Sequence, residues 1–461
     1  MAQNIAINNN VVNHNVIGNG TPPNGAPPSV VAASNNAVTL SGGTGVNGFV
    51  VGGIKRGGIV EDVVSNTVSI DINNGGLPGA GVITVSAYGG RAEDALQDSN
   101  AINNRLSILN GIINVSGVGG IAARGRAGEN VLEMTGGSVD DYVCGGLSTR
   151  DALNNRLTIS GGNIGVGIVV ADGVYGGRSS QERAEGNVME MTGGVVVGNA
   201  YGGWGQLDAL NNKLTISGGN INGAIGAYGG HSVAGRAEGN VMEMTGGTIT
   251  NNACGGYGNG NGDAINNKLK ISSGNIGGGA HGGYSQAGRA ERNELEMAGG
   301  TIGRNACGGI SIVGGAINNR ITITNGNIEG LCVGGVGAVI ATDNQVKILA
   351  GNFRNEVNSG RCINGEAKAN ILEIAGGVFA KDVISGYSRT SNANENKVII
   401  SGGEFFADVY GGKSKDGGAV GNTVEISGDP KFSTNTFIYG GFTSTASVAD
   451  VFTNNTLNIK T

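Results

Sequence analysis

Polar and apolar residues alternate in short bursts along most of the chain, and each burst runs into a Gly-Gly break. In Leu157-Thr158-Ile159 and Leu214-Thr215-Ile216 the apolar residues stand at the second and fourth places after an Asn, with a polar residue between them. That period of two predicts half-buried strands. The stretch from Asn187 to Thr250 shows the cycle best. It runs through Val188-Met189-Glu190-Met191-Thr192, breaks at Gly193-Gly194, and breaks again after Tyr201. A variant of the unit follows, and the first unit restarts at Asn240. Helical spacing appears nowhere, and 91 glycines disfavour helix as well.

Aligned on the opening Asn, the units begin at Asn130, Asn155, Asn187, Asn212, Asn240, Asn267, Asn293, Asn319, Asn344, Asn370, Asn396 and Asn422, with less regular copies at Asn66, Asn104 and Asn455. Successive units are about 25 to 32 residues apart, a period that marks repeat architectures. Such an array buries the apolar side of each unit only by stacking it on its neighbours. The expected fold is all-β, a single-chain parallel β-helix (β-solenoid) of about 14 to 15 coils, forming one rod on the order of 70 Å long. Residues 1–35 are Asn-rich and hold four of the six prolines, Pro22, Pro23, Pro27 and Pro28, so they read as a lead segment: a cap, a linker or an exchanged strand. The solenoid then spans 36–461, with irregular coils over 36–103, paired-coil repeats over 104–343 and aromatic-rich coils over 344–461.

In the paired region one kind of coil opens as NNRLTISGG or NNKLTISGG and the other as NVMEMTGG. The true repeat is therefore a pair of coils, roughly 53 to 57 residues long. The outward places carry Arg156, Lys213, Lys268 or Arg320 in one kind and Glu133, Glu190, Glu243 or Glu296 in the other. Diagonal neighbours on adjacent rungs are about 7 to 8 Å apart, so opposite charges are expected to meet along the rod. The inward places take six of the seven methionines, Met134, Met189, Met191, Met242, Met244 and Met297, as core filler rather than metal ligands. Stacked in register, the opening asparagines are expected to hydrogen-bond along the column and hold the turn. Eight of nine phenylalanines lie from Phe353 onward, which predicts more buried area per coil in that third.

Composition narrows the partners. Charged residues are 14% and the net charge is −6, so no basic surface is available for nucleic acid or anionic lipid. No apolar run approaches the roughly 18 residues of a membrane span, and no signal peptide is readable before Lys55, the first charged residue. A removed targeting segment, a fragment or another export route each fits that start. The five cysteines are odd in number and follow the repeat. Cys144, Cys254 and Cys307 replace the Tyr of other coils and read as small buried thiols. Cys332 and Cys362 lie in adjacent coils, where rungs about 4.8 Å apart permit a disulfide, and they form the candidate bridge.

Catalytic chemistry is hard to find. An enzyme on this scaffold gathers carboxylates at one place, whereas Glu185, Glu238 and Glu291, or Asp151, Asp208 and Asp263, recur evenly. Asp140-Asp141, Asp172 and Glu182 are the departures. Cys254, His281 and Cys307 share a column, but the two sulfurs would stand about 9.6 Å apart, too far for one zinc. Gly260 to Asp263 is similar to a single calcium-binding nonapeptide turn, without the tandem repetition such sites need. Trp204, the only Trp, reads as a half-buried turn residue more readily than as a sugar-stacking one, and no carbohydrate track is evident. Neither a metal nor another cofactor is expected.

The repeated NxLTISGG, GGxI and YGG phrases, over about residues 36 to 455, resemble those of bacterial secreted surface proteins, especially autotransporter adhesin passenger regions. The resemblance implies an extracellular or cell-surface β-helix that acts by display or adhesion, with no catalytic residues to carry over. The chain lacks the C-terminal membrane barrel of a full autotransporter. The leading expectation is a non-enzymatic structural or adhesive solenoid whose partner is a host or neighbour-cell protein or glycan. The alternative is a filament subunit joined end to end to copies of itself through the N-terminal segment, and a polysaccharide-active enzyme is the third reading. Neither nucleic-acid binding nor membrane insertion by this chain is expected.

Overall fold

A computed structural model describes residues 3–18, 33–55, 61–75, 78–93, 98–165, 173–444 and 452–460. The chain divides into two compact units, Met1–His231 and Ser232–Thr461. Each is a parallel β-solenoid, and together they supply about fifteen turns without a helix among the described residues.

One turn of the second unit shows the plan. Glu294–Met297 makes the opening face, Thr301–Ile302 the second, Ala306–Ser311 the third and Gly315–Ile317 the closing face. The next turn repeats it in parallel register, so that Leu295 lies beside Ile321 and Met297 beside Ile323. In the first unit Arg156–Ile159, Asn163–Ile164, Val174–Ser179 and Ala184–Glu185 do the same. The alternation read from sequence maps directly onto burial: Leu157, Ile159 and all six inward methionines are buried.

Register is set at the corner between the closing and opening faces, where the opening asparagines stack. The backbone N–H and Nδ2 of Asn293 both donate to Oδ1 of Asn319 at 3.0 Å. Nδ2 of Asn319 then donates to the Ala290 carbonyl at 2.9 Å and to Oδ1 of Asn344 at 3.0 Å. A carboxamide has two acceptor sites and two donors, and here all four are used. The ladder runs from Asn36 to Asn212 in the first unit and from Asn240 to Asn455 in the second, and the N–H of Gln3 donates to Oδ1 of Asn36 at 3.0 Å.

The ladder dictates its neighbours. The residue before each opening Asn turns the chain through the left-handed region, with φ of 54° at Asn154, 54° at Asn211 and 65° at Gly186. Asn and Gly tolerate that region best, which accounts for the repeated Asn-Asn and Gly-Asn pairs. Opposite the ladder, a Cβ on Gly309 would stand 2.2 Å from Oδ1 of Asn319. The second glycine of each third-face pair is therefore a clearance for the carboxamide.

Diagonal ion pairs form on the opening face as its charge pattern predicts: Arg105 with Glu133, Arg156 with Glu190 at 2.5 Å, and Lys268 with Glu296 at 2.7 Å, while Lys268 also meets its direct neighbour Glu294 at 3.1 Å. All are partly exposed, so each contributes below about 1 kcal/mol. The phenylalanines divide in a way the sequence reading does not anticipate. Phe353, Phe379, Phe405 and Phe432 stack at 4.9 to 5.0 Å, whereas Phe406 and Phe437 are 59% and 61% exposed. The added burial thus comes from one stack.

Residues 3–18 add a first turn. Asn4–Asn8, Val11–Val12 and Val16–Ile17 pair with Ala37–Gly42, Gly45–Val46 and Val50–Lys55. The proline stretch of the lead segment, 22–28, lies outside the described residues.

Replacing one rung tests the ladder. Asn319→Ala leaves two donors of Asn293 and one acceptor of Ala290 unmet in a buried corner, at about 1 to 3 kcal/mol each. It should destabilise the second unit by at least about 3 kcal/mol in denaturant unfolding, while the surface change Asn275→Ala stays within about 0.5 kcal/mol.

Candidate functional site

The third face is where repetition gives way to varied chemistry. In Val409–Ser414 the first and last side chains, Val409 and Ser414, are buried inward, and the outward places are Tyr410 and Lys413 on either side of Gly411-Gly412. With no side chain between them, the two lean together, and Nζ of Lys413 lies 4.2 Å from the centre of the Tyr410 ring. Every third-face strand offers two such outward places, plus a third where the chain enters the strand.

In the first unit these places hold an aromatic and cationic row. Tyr175, Tyr201 and Tyr228 stack at 5.0 and 5.5 Å, and the Arg178 guanidinium lies 5.0 Å from the Tyr175 ring and 5.1 Å from that of Trp204. The Trp204 and His231 rings stack at 6.1 Å. Trp204 therefore belongs to a strand, Ala200–Gly205, and not to a turn. The tyrosines are buried, and burial holds the His231 imidazole neutral by lowering its pKa to about 4. This row is packing.

The second unit begins similarly, with Tyr257 and Tyr284 stacked at 4.9 Å. Cys254, His281 and Cys307 do occupy adjacent strands in register. Burial lowers the His281 pKa to about 4 and pushes the Cys307 thiol up to about 12, while the Cys254 sulfur donates to the Gly256 carbonyl at 3.1 Å. Among the described residues no group of three or more His, Cys, Asp or Glu side chains is placed to hold a metal. Asp263, from the calcium-like turn, is instead engaged by Arg289 at 3.3 Å.

Beyond an apolar stretch of Cys307, Ile310 and Val333, the face changes character. Glu356, Asp382 and Asp408 stand at the same place, just before three successive third-face strands. Arg361 binds Glu356 at 3.0 Å with its guanidinium 4.7 Å from the Tyr387 ring, and Lys413 binds Asp382 at 2.8 Å. Tyr410 donates to Oδ2 of Asp408 at 2.9 Å, and Oδ1 of Asp408 accepts the N–H of Phe437 at 2.9 Å. Burial raises the Tyr410 pKa, and the bond to Asp408 raises it further, so the phenol stays a donor. Tyr439 and Phe442 close the row, with ring centres 5.3 Å apart. On the strand with Arg361, Asn358 is buried and neither Oδ1 nor Nδ2 has a hydrogen-bond partner among the described residues.

This carboxylate column is what alignment on the opening Asn misses, because the column sits just before the third-face strand. Alignment on the Gly-Gly pairs exposes it. The described acidic departures picked from sequence lie at different corners of the turn. Asp140 and Asp141 follow Ser138–Val139, Glu182 precedes Ala184–Glu185, and Asp172 lies outside the described residues. A concavity of about 420 Å³ runs over Gly351, Gly377 and Gly403, above the phenylalanine stack, with Asn352, Glu404, Asp429 and Lys431 on its rim.

The Cys332–Cys362 bridge is not formed, and both thiols are free and buried. Cys332 pairs with Val357 and Cys362 with Gly337, so the two stand at opposite ends of adjacent strands. The length of a strand separates them by roughly 16 Å, beyond the reach of a disulfide. Burial raises the pKa of Cys254, Cys307, Cys332 and Cys362. Since the thiolate is the reactive form, all five cysteines should resist an aromatic disulfide reagent in the native protein and titrate fully in denaturant. A count of three thiols in denaturant without reductant would show a bridge instead. No family model, curated protein or solved structure matches the chain.

Proposed function

We propose that the chain is a non-enzymatic structural and adhesive solenoid, secreted from or displayed on a bacterial cell. The observation that carries this reading is the buried asparagine ladder, repeated through both units with all four carboxamide sites used on its interior rungs. It fixes the backbone of each turn while leaving outward positions free to vary, which suits a protein that presents surface rather than turning over a substrate. A net charge of −6 and partly exposed ion pairs keep that surface hydrated and discourage lateral sheet association. The partner is a host or neighbour-cell protein or glycan, outside the cell.

A second reading is a self-assembling filament joined end to end through the N-terminal segment, whose strands Asn4–Asn8, Val11–Val12 and Val16–Ile17 add to the stack in parallel register.

Flow cytometry of the labelled full chain on intact bacterial and epithelial cells, with negative-stain microscopy of the same sample, separates the readings. Saturable surface binding by discrete particles is expected. Long fibres that deletion of residues 1–35 abolishes would establish the filament, and release of reducing sugar from polysaccharides would overturn the non-enzymatic assignment.

A further inference from the structure

We propose that the third face of the second unit, from Glu356 to Phe442, binds an uncharged polysaccharide lying along the stack of turns. The inference rests on the adhesive reading and names the partner class.

Four observations converge on this stretch. First, repetition stops here: three successive turns place Glu356, Asp382 and Asp408 at one position, about 4.8 Å apart along the stack, which is close to the length of one pyranose unit. Planar carboxylates accept hydrogen bonds from adjacent hydroxyls, and a row at this spacing offers one acceptor group to each successive sugar.

Second, the charge is nearly balanced. Arg361 and Lys413 bind Glu356 and Asp382 and hold them in place, and Asp408 is fixed by Tyr410 and the Phe437 N–H. Three carboxylates stand against these two cations and the exposed Lys381 beside Asp382, so the row is close to neutral, which suits uncharged sugars better than acidic glycans or nucleic acids.

Third, the most exposed aromatic rings adjoin the row. Phe406 stands two residues before Asp408, and Phe437 is bonded to it. They are 59% and 61% exposed in a protein whose other phenylalanines in this unit largely stack inside. An exposed ring flanked by fixed hydrogen-bonding groups matches a sugar, which has an apolar C–H face and a polar rim.

Fourth, Asn358 is fully buried on the Arg361 strand with both ends of its carboxamide unpartnered. Buried polar groups are nearly always satisfied. Asn358 stands at the Tyr410 place of its strand, between Val333 and Ile384, and one hydroxyl that reached it would satisfy both ends, by accepting from Nδ2 and donating to Oδ1.

The test is affinity electrophoresis of the full chain through native gels containing galactomannan, mixed-linkage β-glucan or glycol chitin, with heparin as the acidic comparison. At least one of the first three should retard the protein, and Phe437→Ala and Phe406→Ala should each weaken that retardation by about tenfold or more. Both rings are exposed, so neither change should lower the thermal midpoint. As a second variant, Asn358→Leu removes the unpartnered carboxamide and should weaken binding while the fold is kept. No retardation in any neutral gel, equal retardation of the phenylalanine variants, or stronger retention by heparin would each overturn the proposal. If Phe437→Ala and Phe406→Ala bind cells as well as the unchanged chain does, the glycan site fails while adhesion stands. Cell binding lost to protease and kept after periodate treatment of the cells would replace the polysaccharide with a protein partner. An unchanged chain that binds neither cells nor glycans would remove both readings.

Discussion

A buried carboxamide is a liability unless all four of its hydrogen-bonding sites are met, and this protein meets that condition once per turn. Asn319 takes two bonds from Asn293 and gives one each to Ala290 and Asn344. The same geometry recurs from Asn36 to Asn212 and from Asn240 to Asn455 within the respective units. The rest of the turn is arranged around it. The left-handed residue before each Asn aims the carboxamide inward, the closing-face Ala supplies a carbonyl, and the second glycine of the third face leaves room. A slip of one residue would place a different side chain at the corner and strand three or four polar groups, so register is held far more tightly than by apolar stacking alone.

That constraint divides the labour among the faces. The opening, second and closing faces repeat closely, with aliphatic, Met, Phe or Ala side chains inward and ion pairs outward. The third face must keep its glycines for the ladder, and in exchange it holds two outward side chains per turn that touch nothing the ladder needs. It is therefore the face on which chemistry varies most, from the buried tyrosine stack of Tyr175, Tyr201 and Tyr228 to the charged and aromatic row beyond Glu356.

Much of this was legible in the sequence. The opening asparagines, the inward methionines and the diagonal partners of Arg156 and Lys268 follow from a strand period of two set inside a regular longer repeat. What was not legible depends on position within a strand rather than on residue type. Cys332 and Cys362 both occur near glycines, yet one opens its strand and the other ends it. Phe405 and Phe406 are neighbours of identical chemistry, one in the stack and one in solvent. Trp204 reads as a turn residue until the third-face strand is placed. Glu356, Asp382 and Asp408 are a full turn apart in the chain at each step and become a column only when the turns are superposed.

The central claim is that the ladder carboxamides are locked into the interior, and side-chain hydrogen exchange measures that directly. In NMR spectra of the folded protein transferred to deuterium oxide, the Nδ2 protons of Asn293, Asn319 and Asn344 should persist for hours or longer, because their exchange needs the turn to open. Those of exposed Asn220 and Asn275 should vanish within the dead time. Ladder carboxamides that exchange as fast as these surface residues would contradict the account, since the corner would then be solvated and register would rest on apolar stacking.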